Sequence, residues 1–85
     1  MSERSNAGYI ITSAIRVGGT EYVLGENPKA PARFVTWVCR NGSDYFWGRY
    51  TDDPLSALRN LLDRVGSALE VLERRQREEA SRHED

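Results

Sequence analysis

Cys39, His83 and the adjacent carboxylates of Asp52 and Asp53 are the residues of this 85-residue chain that most invite a catalytic or metal-binding reading. A cysteine nucleophile needs a base beside it, and a zinc site needs three or four convergent ligands. The chain holds one cysteine and one histidine, and no cluster among its residues has zinc spacing. Cys39 falls among the apolar residues of a strand and reads as a buried, inert thiol. His83 stands in a polar tail, the third residue from the end. Asp52 and Asp53 directly precede Pro54, which explains them as residues of a helix start. Gly18-Gly19 makes a turn, and two glycines alone do not make a phosphate loop. The expectation is therefore a non-enzyme with no catalytic residue, no cofactor and no metal.

Recognition chemistry is better represented. The segment Arg33–Tyr50, RFVTWVCRNGSDYFWGRY, holds two runs of β-branched and aromatic residues around Asn41-Gly42, a strong hairpin signal. A two-residue loop there pairs Trp37 with Phe46, Thr36 with Trp47 and Phe34 with Arg49. Alternation then sorts Val35, Trp37, Cys39, Phe46 and Tyr50 onto a core face. The opposite face carries Phe34, Val38, Arg40, Tyr45, Trp47 and Arg49, with Ile10, Ala14 and Val23 as candidate neighbours. An exposed patch of Trp, Tyr and Arg has the composition of protein-interface hot spots and can also stack unpaired bases. These six residues are the candidate partner-binding site.

The elements that must position this site follow from pattern. Residues 1–8 are a polar lead-in expected to be flexible. Tyr9–Val17 reads as a strand, with Tyr9, Ile11, Ile15 and Val17 on one side. Gly18-Gly19 closes a second hairpin that sets Arg16 against Glu21, Ile15 against Tyr22 and Ser13 against Leu24. The linker GENPKAPA, stiffened by Pro28 and Pro31, connects the hairpins or protrudes as a contact loop. Asp53 caps a helix and Pro54 opens it. Leu55, Leu58, Leu62, Val65, Leu69 and Leu72 recur at spacings of three and four, widened by Leu61 and Ala68. The sum is an α+β domain over 9–72, a four-stranded antiparallel sheet of two hairpins followed by one long helix on one face. Residues 73–85 form a charged helical extension and mobile tail.

The lengths of these parts do not match. A helix from Pro54 to Glu79 spans about 39 Å, whereas a seven-residue strand covers about 24 Å. Either the helix bends near Gly66, or Leu69 and Leu72 reach past their own sheet to a second copy. Trp37 and Phe46 are expected to face Leu58 and Leu62, and Leu69 and Leu72 to form a homodimer contact.

Composition narrows the class. Charged residues make up 29% of the chain, yet the formal net charge is -1, so the basic footprint of a duplex-DNA binder is absent. There is no apolar stretch of signal-peptide or membrane-spanning length, which predicts a cytoplasmic protein without a membrane partner.

Four antiparallel strands followed by a helix, over Tyr9–Leu72, resemble the repeat unit of the Whirly and PUR-type single-stranded nucleic-acid binders. That resemblance implies a sheet that binds the strand and helices that support dimerisation. The run LGENPKAPARFVTW…YFWG…ALRNLLDRV looks like small proteins carried on bacterial mobile elements, a group that includes anti-defence proteins such as CRISPR inhibitors. It implies a regulator that binds a protein partner stoichiometrically and inhibits a host defence nuclease. The alternative implied by the first resemblance is a dimeric single-stranded nucleic-acid-binding regulator.

Overall fold

The computed structural model of the chain describes residues 4–83. Five strands form one antiparallel sheet in simple sequential order: β1 (Ser5–Asn6), β2 (Tyr9–Val17), β3 (Thr20–Glu26), β4 (Phe34–Arg40) and β5 (Asp44–Thr51). A single helix, α1 (Pro54–His83), follows. The α+β architecture with a C-terminal helix stands, and the expected four strands become five. The added strand arises because Ala7 and Gly8 take positive φ angles of 52° and 86°. That turn folds Ser5 and Asn6 back against Ile10 and Tyr9.

The first hairpin has the expected register: Arg16 pairs with Glu21, Ile15 with Tyr22 and Ser13 with Leu24. A bulge between Ile11 and Ser13 then divides the apolar residues of β2 between two faces. Tyr9 and Ile11 join one cluster. Ile15, opposite Tyr22, lies on the other face.

The second hairpin departs from expectation. Asn41 and Gly42 both have positive φ, but Ser43 also belongs to the turn, and Arg40 pairs with Asp44. This moves Cys39 opposite Tyr45 and Val38 opposite Phe46. A second bulge, at Trp47-Gly48, shifts the pairing again, so that Thr36 meets Arg49 and Val35 meets Tyr50. Side chains alternate with period two, so each one-residue slip moves a side chain to the other face. Phe46 therefore leaves the Trp37 face and Tyr45 joins it.

Two separate cores result. Val23, Val35, Trp37 and Cys39 are buried with Tyr9, and Ile11, Ala30 and Tyr45 pack around them. No helix covers this cluster. On the opposite face Leu24, Ala57 and Leu61 are buried, joined by Tyr22, Phe34 and Val65. The helix thus lies on the Phe34–Val38 face, and the expectation that Trp37 and Phe46 face Leu58 and Leu62 is overturned. Trp37 packs edge-on against Tyr9 at 5.8 Å and against Tyr50 at 6.3 Å instead.

Asp53 caps α1 as expected, its Oδ2 accepting from the Ser56 backbone N–H at 3.0 Å and from Ser56 Oγ at 2.6 Å. These bonds hold its carboxyl below the ordinary aspartate range. The helix runs through Gly66 without a break. Leu72 is half-buried and ends on the β2–β3 turn, its methyls 3.7 Å from where a Gly18 Cβ would stand. Leu72 accordingly has a partner within its own chain, contrary to expectation, while Leu69 is exposed.

Candidate functional site

The six residues expected to form one binding face are divided by the register. Val38 is buried and Phe34 half-buried beneath α1. Tyr45 points to the opposite face, where its ring lies 5.5 Å from Trp37 and its hydroxyl accepts from Arg4. Arg40 is exposed at the hairpin end, its guanidinium 5.1 Å from the Phe46 ring. Trp47 and Arg49 remain together at a surface cleft, with Val38 in its lining.

That cleft, of about 490 Å³, lies between β5 and the middle of α1. Trp47, Arg49, Arg64, Tyr22, Ser67 and Asp63 supply its polar and aromatic lining. Its shape follows from one glycine. A Cβ on Gly48 would stand 2.8 Å from Trp37 Nε1 and 3.0 Å from the Tyr50 ring, so only glycine lets the Trp37 indole lie against β5. The strand bulges at this point, and Trp47 takes φ 56° and leaves the sheet. Its side chain is 71% exposed, the largest solvent-facing aromatic of the described residues. Positive φ in a bulky residue is costly and is kept only where surrounding structure enforces it. Arg64 provides part of that enforcement, since its Nη2 donates to the Trp47 carbonyl oxygen.

The electrostatics of the cleft are unbalanced. Arg64 is held below the ordinary arginine value, first by burial and then by the charge of Arg49. Its Nε is buried with no hydrogen-bond partner among the described residues. Among the described residues, the one ion pair joins Arg4 to Glu21 on the other face, so neither cleft arginine is neutralised at contact distance.

No protein-family model, curated protein or solved structure matches this chain. Its chemistry must therefore be read from its own surfaces.

The second surface is the flank of α1. At about 100° per residue, Leu62 lies about 160° round the helix from Arg64. Arg64 reaches β5, so Leu62 faces the β2 side. Leu58 and Leu69 share that flank, and Leu55 extends it to the helix start. All four leucines are exposed, Leu55 at 74% and Leu62 at 56%. Ile15 and Ile10 lie on the same sheet face, by their register with Tyr22 and Glu26, and are exposed as well. Leu55, Leu58, Leu62 and Leu69 of the expected stripe thus line solvent, while its members Leu61 and Val65 meet the sheet together with Ala57.

The remaining polar cluster is structural. The Arg4 guanidinium bonds both Glu21 carboxylate oxygens at 3.2 Å and the Tyr45 hydroxyl, which keeps it firmly protonated. It also lies 3.5 Å from Cys39 Sγ, closing off the buried thiol. The GENPKAPA linker belongs to this face: Tyr9 donates to the Ala32 carbonyl at 2.6 Å, and Ala30 packs on the cluster. The side chain of His83 lies outside the described residues. No helix among those residues is long and apolar enough to cross a membrane.

One sequence signal could have found the Trp47 cleft. A glycine inside a strand marks a bulge or a close backbone approach, and Gly48 is such a glycine. No comparable signal marked Arg64, whose place in the cleft depends on which way the helix is rolled.

Proposed function

We propose that this chain is a non-enzymatic protein that acts stoichiometrically on a protein partner and pairs with a second copy of itself through the leucine flank of α1. The observation that carries this reading is the exposed run Leu55, Leu58, Leu62 and Leu69 on one flank of α1, with Ile10 and Ile15 exposed on the sheet face that the helix covers. Contiguous apolar surface of this kind is rare on a monomer and marks a place where another protein docks.

The pattern is self-complementary. A two-fold axis at Leu62 sets two helices antiparallel, with Leu55 of one copy opposite Leu69 of the other. The same axis places Leu58 opposite Gly66, where nothing stands within 4 Å of a would-be Cβ. A leucine can therefore settle over the glycine and bring the helices close. Leu69 keeps its expected place in the dimer contact, and Leu62 replaces Leu72 at the centre. Inhibition of a host defence nuclease is the finer form of this proposal, and it rests on the resemblance of the sequence to anti-defence proteins.

Sedimentation velocity tests the dimer. Leu62→Glu places two carboxylates face to face on the axis and should give a folded monomer at concentrations where the parent is dimeric. A parent that stays monomeric at high micromolar concentration removes the homodimer. Capture of host nuclease subunits by the dimeric parent tests the finer form, and a parent that captures none removes it.

A further inference from the structure

The Trp47 cleft lies on the opposite flank of α1 from the leucines, so a helix-to-helix dimer leaves it open. Its lining is aromatic and cationic. Two arginines, Arg49 and Arg64, stand close enough for one to disfavour the other's charge. Arg64 carries a buried Nε without a partner, while its Nη2 is fixed on the Trp47 carbonyl. The indole beside them is exposed and locked outward by the bulge, at a backbone angle that bulky residues rarely adopt. Tyr22 and Ser67 add hydroxyls to the lining. An aromatic platform next to paired guanidinium groups suits a planar ring that carries a phosphate.

We propose that this cleft binds one unpaired nucleotide of a single-stranded nucleic acid, with the base stacked on Trp47 and the phosphate held by Arg49 and Arg64. The charge of the lining supports this source over a free nucleotide. Two arginines and Asp63 sum to +1, counted as two minus one. A phosphodiester carries one negative charge, whereas a free nucleoside phosphate carries more. The volume of about 490 Å³ lies within the range of small-ligand clefts. The chain's net charge of -1 is compatible, because a one-nucleotide site needs two cations rather than a basic tract. This inference does not depend on the dimer.

The chain has two tryptophans, and Trp37 is buried, so quenching of tryptophan fluorescence reports on Trp47. Titration with a short oligothymidylate should quench it saturably, and Trp47→Phe should abolish the signal change. Arg49→Ala should weaken binding roughly ten- to hundredfold, the range for losing a charge-assisted hydrogen bond. With at most two phosphates neutralised, affinity should fall only about sevenfold between about 50 and about 200 mM salt. Duplex DNA, whose bases are already stacked, should compete poorly. Thymidine monophosphate should bind more weakly than the oligonucleotide. Equal binding of the two would keep the ring-plus-phosphate chemistry and assign it to free nucleotides. The Leu62→Glu variant should bind the oligonucleotide with unchanged affinity per chain, which separates this site from the dimer. No saturable quenching at millimolar oligonucleotide overturns the proposal. So does an Arg49→Ala variant that binds like the parent while melting like it.

Discussion

The two faces of the sheet are both buried, but by different means. On one, a helix sets Ala57, Leu61 and Val65 against Leu24, Tyr22 and Phe34, and leaves four leucines in solvent. On the other, Trp37, Tyr9 and Tyr45 cover the sheet with their own rings, sealed by Arg4 and the 25–32 linker. The aromatic face needs no second layer because each large ring removes much surface from water at low rotamer cost. The helical face buries only part of the apolar stripe of α1 and so leaves apolar surface over. That surplus is where binding is expected.

Substitutions that separate the two cores should have the largest effects. Trp37→Ala removes the centre of the aromatic face and should cost about 3–5 kcal/mol in urea unfolding. Leu61→Ala, on the helical face, should cost about 2–4 kcal/mol. The two changes should add when combined, because independent cores do not share a cavity. Strong non-additivity would show that the faces are one core.

A smaller effect sharpens the role of glycine on the aromatic face. Gly48→Ala drives a methyl into Trp37 and should destabilise by about 1–3 kcal/mol. Gly19→Ala, with open space around it, should change stability by no more than about 0.5 kcal/mol. Equal melting temperatures for the two variants would remove the account of the bulge.

Much of this architecture was legible in the sequence, and the failures share one cause. The β2–β3 register was readable because Gly18-Gly19 permits a tight loop and the opposite-charge pair Arg16–Glu21 fits it. The helix start was readable from Asp53-Pro54. The choice of face was not, because the chain has apolar residues on both sides of β4 and parity alone cannot say which side the helix takes. Two local irregularities then compounded the error. Ser43 lengthened the turn and Trp47-Gly48 bulged, so Phe46 and Tyr45 exchanged faces. The candidate site survives at Val38, Trp47 and Arg49, and Arg64 joins it from the helix.

The helical face also contains a polar defect. Thr36 is fully buried and its Oγ1 has no hydrogen-bond partner. Thr36→Val keeps the shape and removes the unsatisfied hydroxyl, so it should stabilise by about 1 kcal/mol in thermal or urea unfolding. A loss of stability would mean that the hydroxyl is hydrogen-bonded in the folded protein.

The smallest effect belongs to the helix start. Asp53 has a lowered pKa in the folded chain, so the charged form is the one that stabilises. Its contribution is full above the ordinary aspartate pKa of about 3.9 and is lost as pH falls through the lower folded value. Asp53→Asn should flatten that part of the acid-unfolding curve and leave neutral-pH stability nearly unchanged, since asparagine also caps helices. An unchanged acid limb would show that Asp53 does not titrate with folding.

The central claim is that α1 covers the Phe34 face and leaves Trp37 to a core of its own, since only then are Leu58 and Leu62 free to dock. Nuclear Overhauser contacts from the Trp37 indole test it most directly. The predicted result is contacts to Tyr9, Tyr45 and Tyr50 rings and none to any leucine methyl of α1, with Leu61 methyls instead meeting Leu24 and Phe34. Contacts from Trp37 to Leu58 or Leu62 would contradict it, returning the helix to the other face and burying the proposed docking flank.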